Sequence, residues 1–465
     1  MIQVESLLTK MFDIMDVQFS HPYILMNKYD EVPYKLPSDL DMCITPDDFN
    51  RLDTIMAYIA KGIGLAIVQK IWHGYQKCAY ILSPLEPEGR FRLQLDYFTD
   101  FSVKHTPLLI SYKDMQQETR KYGRFNAPSY RMEYVFLLMR RIFKNDFDEE
   151  HLKAIRLAME GDKVGAFSFL RNYFDIETAE KINSYVDNEN ILALQEMRPI
   201  LWKKMQELSK KNQGGTFRIK FHLYELKRHL YRIKYPVGYS AVLLSPDGGG
   251  KTSVFERLQN TCWGCFHGIT KMYFRPHILT NPGSLNPINP VPESTNNPEP
   301  HGKKPNGLFK SLFRYFYYNL DYIIGYNTIV RKKRIQKQLV IFDRYYYDYF
   351  VDLTRYRYSF PKWVPKAFAF CIPTPDVIFV LEGTPEVLYK RKPELTIKEL
   401  TRQVKEYHKI ALKFENAVII NVDNPLDDVV RQITKEILYR KALRTAKGMN
   451  IKIDSDGLPI ISENK

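Results

Sequence analysis

The eight residues Ser245-Pro246-Asp247-Gly248-Gly249-Gly250-Lys251-Thr252 constrain this chain more than any other segment. They follow an apolar run, Ala241 to Leu244, and precede a helix-like stretch from Val254 to Leu258. The order is strand, glycine-rich turn, helix. In such a turn Gly248, Gly249 and Gly250 let backbone N–H groups converge on phosphate oxygens, and the helix that begins with Lys251, Thr252 and Ser253 adds its positive end. Lys251 reaches outer phosphates, and the Thr252 hydroxyl suits Mg²⁺. ATP with Mg²⁺ is the ligand this arrangement points to. Ser245 stands where the motif ordinarily has glycine, and a glycine-rich surface turn is the alternative.

With 465 residues, 45% of them apolar, the chain has material for two or three domains. No apolar run approaches the ~18 residues needed to cross a bilayer. Met1 to Glu5 lacks a charged-then-apolar leader. The 5 cysteines form a sparse, odd set that suits a reducing compartment, so a cytoplasmic setting is expected. Cys262 and Cys265 have redox or zinc spacing but no second pair, and read as structural thiols. The net charge of +15 calls for anionic partners: a nucleotide, an anionic acceptor, and peripheral association with anionic membrane or nucleic acid. It leaves the oligomeric state open.

Residues 1–145 mix strand-like runs with helices, including one expected from about Pro46 to Lys61, and read as a compact α/β unit. From 146 to 235 the apolar spacing turns helical, giving a connector. It closes on Arg218 to Lys234, where aromatic and basic residues interleave, as a helix bridging domains or lying on an anionic surface would. Residues 236–445 alternate strands and helices, which implies a parallel sheet. The strands are expected at Ser240–Leu244, Lys271–Phe274, Leu339–Phe342, Val377–Leu381 and Val418–Val422. Thr280 to Asn306 carries seven prolines and reads as a mobile loop or lid, and 446–465 as a tail.

Two strand ends add chemistry to the loop. The run Gln338 to Phe342 ends in Asp343-Arg344-Tyr345, placing a carboxylate and a guanidinium at the edge where open α/β sheets bind ligands. The strand Val377 to Leu381 leads to the basic cluster Lys390-Arg391-Lys392, placed as a lid would be. A buried ion pair and a solvated basic face are the plain alternatives.

Over about 236–445 the chain resembles the thymidylate kinase family. The matching residues are Pro246 to Thr252, Phe274-Arg275-Pro276, Phe342 to Tyr345, Pro375-Asp376-Val377, Lys390 to Lys392 and Asn421 to Pro425. The resemblance implies a P-loop NTPase parallel sheet that moves the γ-phosphoryl of Mg-ATP to a nucleotide, sugar or other phosphorylated acceptor. It implies charge neutralisation by Lys251, metal ligation by Thr252 and Asp343, and contact of Arg344 and Arg391 with the migrating phosphoryl. It also places Asn424 near adenine, and Arg275, with Tyr322 and Arg355, on the acceptor side. Tyr322 stands where the family carries an arginine that reads thymine, so thymidylate is expected to be a poor acceptor. A hydroxyl acceptor would want a general base, for which Asp247 is the candidate.

Upstream, Asp39 and Asp41 alternate along a short strand and share a face, with Asp96 as a third carboxylate. Three such groups could hold two Mg²⁺ ions. Residues 20–110 thereby resemble the nucleotidyltransferases, though Met26-Asn27-Lys28 replaces their Gly-Ser turn. The expected whole is an α+β nucleotidyltransferase-like domain, a helical connector and a thymidylate kinase-like domain. The alternatives are nucleotidyl transfer as the main chemistry, or an ATP-gated switch that binds nucleic acid or membrane.

Overall fold

The computed structural model describes residues 3–86, 91–103, 106–261, 263–280 and 304–461. It divides into two units, one of Met1–Ser83, Leu93–Tyr231 and Thr445–Lys465, the other of Pro84–Arg92 and Arg232–Arg444.

The first unit is built on a mixed seven-stranded sheet. Its strands are β1 (Ile24–Leu25), β2 (Leu40–Cys43), β3 (Ala66–Gly74), β4 (Lys77–Ser83) and β5 (Leu93–Phe98). A separate ribbon of β6 (Asp100–Phe101) and β7 (Ile110–Ser111) intervenes before β8 (Thr119–Tyr122) and β9 (Phe125–Pro128) complete the sheet, in the order β3-β4-β5-β2-β1-β9-β8. β2 and β5 pair in parallel, which sets Asp41 opposite Asp96. The helix expected from Pro46 to Lys61 is two, Pro46–Asn50 and Leu52–Ile63. Thr45 caps the first by accepting from the Asp48 N–H, and the helices part at Arg51.

Two expectations for this unit are corrected. The helices from Glu149 to Asn212 are not a body apart, because Leu152, Ile182, Leu194, Leu201 and Met205 share one core with Ile24, Met26 and Phe101. The expected tail, as far as Ile461, packs on this unit instead of standing apart. Helix Leu426–Met449 runs past Lys447, and Lys452–Ile453 then pairs with Pro459–Ile460 in a hairpin that packs on helix Leu52–Ile63.

The second unit holds a wholly parallel sheet of β10 (Tyr239–Leu244), β11 (Gly268–Tyr273), β12 (Gln338–Asp343), β13 (Val377–Glu382) and β14 (Ala417–Asn421). The order is β11-β12-β10-β13-β14, so the strand preceding the glycine loop is central. Every residue of β10 is buried, as parallel strands covered on both faces require. The expected loop from Thr280 to Asn306 falls mostly on 281–303, outside the described residues, as does Cys262. Cys265 is buried. Among the described residues no helix is long and apolar enough to cross a membrane.

Candidate functional site: a glycine loop over a buried charge network

The loop after β10 is held by contacts that explain its sequence. Gly248 has φ 87° and Gly250 φ 74°, conformations that L side chains rarely adopt. A Cβ on Gly248 would strike the carbonyl oxygen of Leu388, so helix Pro385–Arg391 approaches the loop there. A Cβ on Gly249 would meet the Ser245 hydroxyl, which turns inward and donates to the Pro246 carbonyl at 2.8 Å. Serine in place of glycine at the first position thus serves as an internal brace. Thr252 and Ser253 open the helix Lys251–Thr261 with both side chains exposed.

Lys251 folds back over this loop and donates to the carbonyls of Ser245 and Pro246, each at 3.1 Å. Burial, reinforced by Arg344, lowers its pKa from the ordinary 10.5 to about 8, even though Asp343 and Asp247 pull the other way. The lysine is therefore a cation stored in a place that disfavours its charge, and an incoming anion would relieve that.

At the end of β12, Asp343 is almost buried. One of its oxygens lies 3.5 Å from Lys271 Nζ, and the other, Oδ1, is buried without a hydrogen-bond partner. A buried carboxylate oxygen left unpaired is costly. It fits a cation, and Asp343 with Thr252 are the residues that would hold Mg²⁺. The neighbouring Arg344 has φ 69°, a left-handed conformation uncommon outside glycine, and its N–H donates to the Leu243 carbonyl at 3.0 Å. This turn drives the guanidinium into the protein, where it bridges Asp247 and Asp348 at 2.7 Å each.

Asp247 is also gripped by Arg355 at 2.5 Å. Burial alone would raise its pKa, but Arg344, Lys251 and Arg355 outweigh that and hold the carboxyl far below the usual range. A carboxylate so held is a poor proton acceptor, which weighs against the general-base role expected for it. Arg344 lies inside the network, shared between Asp247 and Asp348.

Two of the residues expected to meet the acceptor are engaged within the protein. Arg275 is buried, with Nη1 on Asp321 at 2.8 Å and on the Leu279 carbonyl at 2.7 Å. Asp321 also accepts from the N–H groups of His277 and Leu279, so the pair clasps the chain after β11. Arg275, expected to grip a phosphate, is thus engaged in a buried ion pair with Asp321. Tyr322 is likewise fully buried, its hydroxyl donating to the Phe274 carbonyl. Arg391 is exposed and donates to the Val422 carbonyl at 2.9 Å, and Asn424 is exposed beyond β14.

Asp348, to which the sequence analysis assigned no role, anchors the whole. It accepts from Arg344, and from the hydroxyls of Tyr356 and Tyr407 at 3.0 Å each. No helical signal pointed to it, since Arg344 lies outside the helix Asp348–Val351 and the pair forms through the turn. Around it lies a wall of buried tyrosines whose hydroxyls find partners: Tyr345 on the Pro373 carbonyl and Tyr346 on that of Pro365, both at 2.7 Å, with Tyr349 facing Tyr358.

In the first unit Asp39, Asp41 and Asp96 converge, with one oxygen of each within 4.8 Å of the others. Lys28 pairs with Asp39 at 3.2 Å and Arg140 with Asp41 at 2.6 Å, while Gln94 donates to Asp96 at 3.0 Å.

No protein-family description matches the chain, and no curated protein does. Among solved structures, thymidylate kinase from Ehrlichia chaffeensis is similar at 16% identity, over 43% of this chain and 97% of that one, with a TM-score of 0.29. A likeness this distant says nothing about substrate or activity.

Proposed function

We propose that the second unit is a phosphotransferase that moves the γ-phosphoryl of Mg-ATP to an acceptor already bearing an ionised oxygen, such as the phosphate of a nucleotide or sugar. One observation carries this: a glycine loop, a buried lysine and a carboxylate oxygen with no partner meet where β10 and β12 end side by side. Mg²⁺, when bound, supplies charge neutralisation at the phosphates. Lys251 exchanges its loop carbonyls for phosphate oxygens. Thr252 and Asp343 hold the ion. Asp247, clamped by two guanidiniums, keeps Arg355 and Arg344 in place, and because it cannot take a proton the site suits an acceptor that needs none removed.

The test is ATP binding as a function of pH. A phosphate beside Lys251 should raise its pKa back toward the ordinary value, so between pH 8 and 10.5 binding should take up a proton. Calorimetry at about pH 9 in buffers of different ionisation enthalpy should therefore give different apparent heats. In Lys251→Ala that difference should vanish. Thermal stabilisation by Mg-ATP, about 2.7 kcal/mol at a hundred times Kd, should fall sharply as well. Equal stabilisation of both proteins by Mg-ATP would remove Lys251 from the site.

A second reading, nucleotidyl transfer by the first unit, is favoured by the convergence of Asp39, Asp41 and Asp96. Asp39→Asn with Asp41→Asn should then abolish transfer of an α-labelled nucleotide and leave ADP formation unchanged. Unaltered α-label transfer would discard it.

A further inference from the structure

Helix Gly215–Lys234 presents two unlike faces. One is in use: Phe217 and Phe221 pack on Tyr75, Tyr224 on Tyr75 and Trp72, and Tyr231 on Trp72, with ring centroids 4.9–5.8 Å apart. The other carries Ile219, Leu223, Leu226, Leu230 and Ile233, each between 50% and 65% exposed. Their spacing alternates four and three, the seam of a heptad repeat. At 100° per residue the stripe is roughly 80° wide, narrower than the apolar face of a core-facing helix and matched to a single partner helix. Its residues are aliphatic, while the aromatics that favour a bilayer interface all turn inward.

The flanks of the seam are uniformly basic or imidazole. Lys220, Lys227 and Lys234 each follow a seam residue on one edge, and His222 and His229 each precede one on the other, all exposed. The helix's acidic residue, Glu225, is buried and taken by Arg228 at 2.6 and 3.0 Å. Flanking charges choose coiled-coil partners. A second copy of this helix would set lysine against lysine when antiparallel and against histidine when parallel, so self-pairing is opposed.

We propose that this face docks an amphipathic helix of a partner protein whose seam-flanking positions are acidic. The probe is a synthetic three-heptad helix with leucine in the seam and glutamate on both flanks, alongside a twin with lysine on the flanks. Fluorescence anisotropy with the full chain should show binding of the glutamate peptide, weakening with added salt, and little of its twin. Leu223→Ser with Leu230→Ser should abolish binding. Lys220→Glu with Lys227→Glu and Lys234→Glu should reverse the preference by about tenfold or more in each direction. These positions are exposed, and an unchanged melting temperature would confirm that the fold is intact. Three results would overturn the proposal: equal affinity for the two peptides, concentration-dependent self-association through the seam, or failure of the glutamate peptide to compete with equimolar phosphatidylcholine and phosphatidylglycerol vesicles for this face.

Discussion

Asp343→Asn should leave the fold intact and collapse turnover. The substitution keeps the shape and leaves Lys271 near a neutral amide, but it takes the negative charge from the position where Oδ1 is buried and unpartnered. If that oxygen holds the ion, the loss is several kcal/mol of charge stabilisation, on the order of a hundredfold or more in kcat. Raising Mg²⁺ should recover only part of it. ADP release measured against Mg²⁺ concentration reads both quantities, with a melting curve to establish folding. Near-normal kcat at saturating Mg²⁺ would place the metal elsewhere.

Asp348→Ala should act on stability instead. The carboxylate is 1% exposed and neutralises an Arg344 side chain that is 4% exposed, so its removal leaves a buried guanidinium with only Asp247, itself shared with Arg355. Breaking a buried pair from one side typically costs about 3–5 kcal/mol. The hydroxyls of Tyr356 and Tyr407 lose their acceptor as well, adding desolvated groups without partners. Urea denaturation would show the midpoint drop. A change below about 1 kcal/mol would mean that Arg344 reaches water on its own.

The parts of this site that were legible in the sequence are those carried by neighbouring residues. Gly248 to Thr252 specify a turn by backbone chemistry alone, and the three inner strands β10, β12 and β13 announce themselves as short apolar runs because both of their faces are covered, whereas the edge strand β11, expected at Lys271–Phe274, runs Gly268–Tyr273 and is only partly buried. The convergence of Asp39, Asp41 and Asp96 was also visible, since strand alternation sets which side chains share a face. What could not be read was the pairing of charges distant in the chain. Asp247 looked free to take a proton, but Arg355, 108 residues away, claims it. Arg275 looked free to grip a phosphate, but Asp321, 46 residues away, is its partner. A string of residues states which charges exist and leaves their neutralisation to the fold. Likewise, helical periodicity over 146–235 marked the apolar faces without saying which sheet they would cover.

The register of two strands has a consequence for how such a chain can change. Leu243 lies opposite Asp343 in the parallel pairing of β10 with β12, so the loop and the carboxylate are aligned by one ladder of backbone hydrogen bonds. Side chains on a strand alternate, and a single-residue insertion within β12 would turn Asp343 to the opposite face of the sheet. The glycine loop and the carboxylate that ends β12 can therefore shift only together, since a slip of either strand against the other breaks the whole ladder that aligns them.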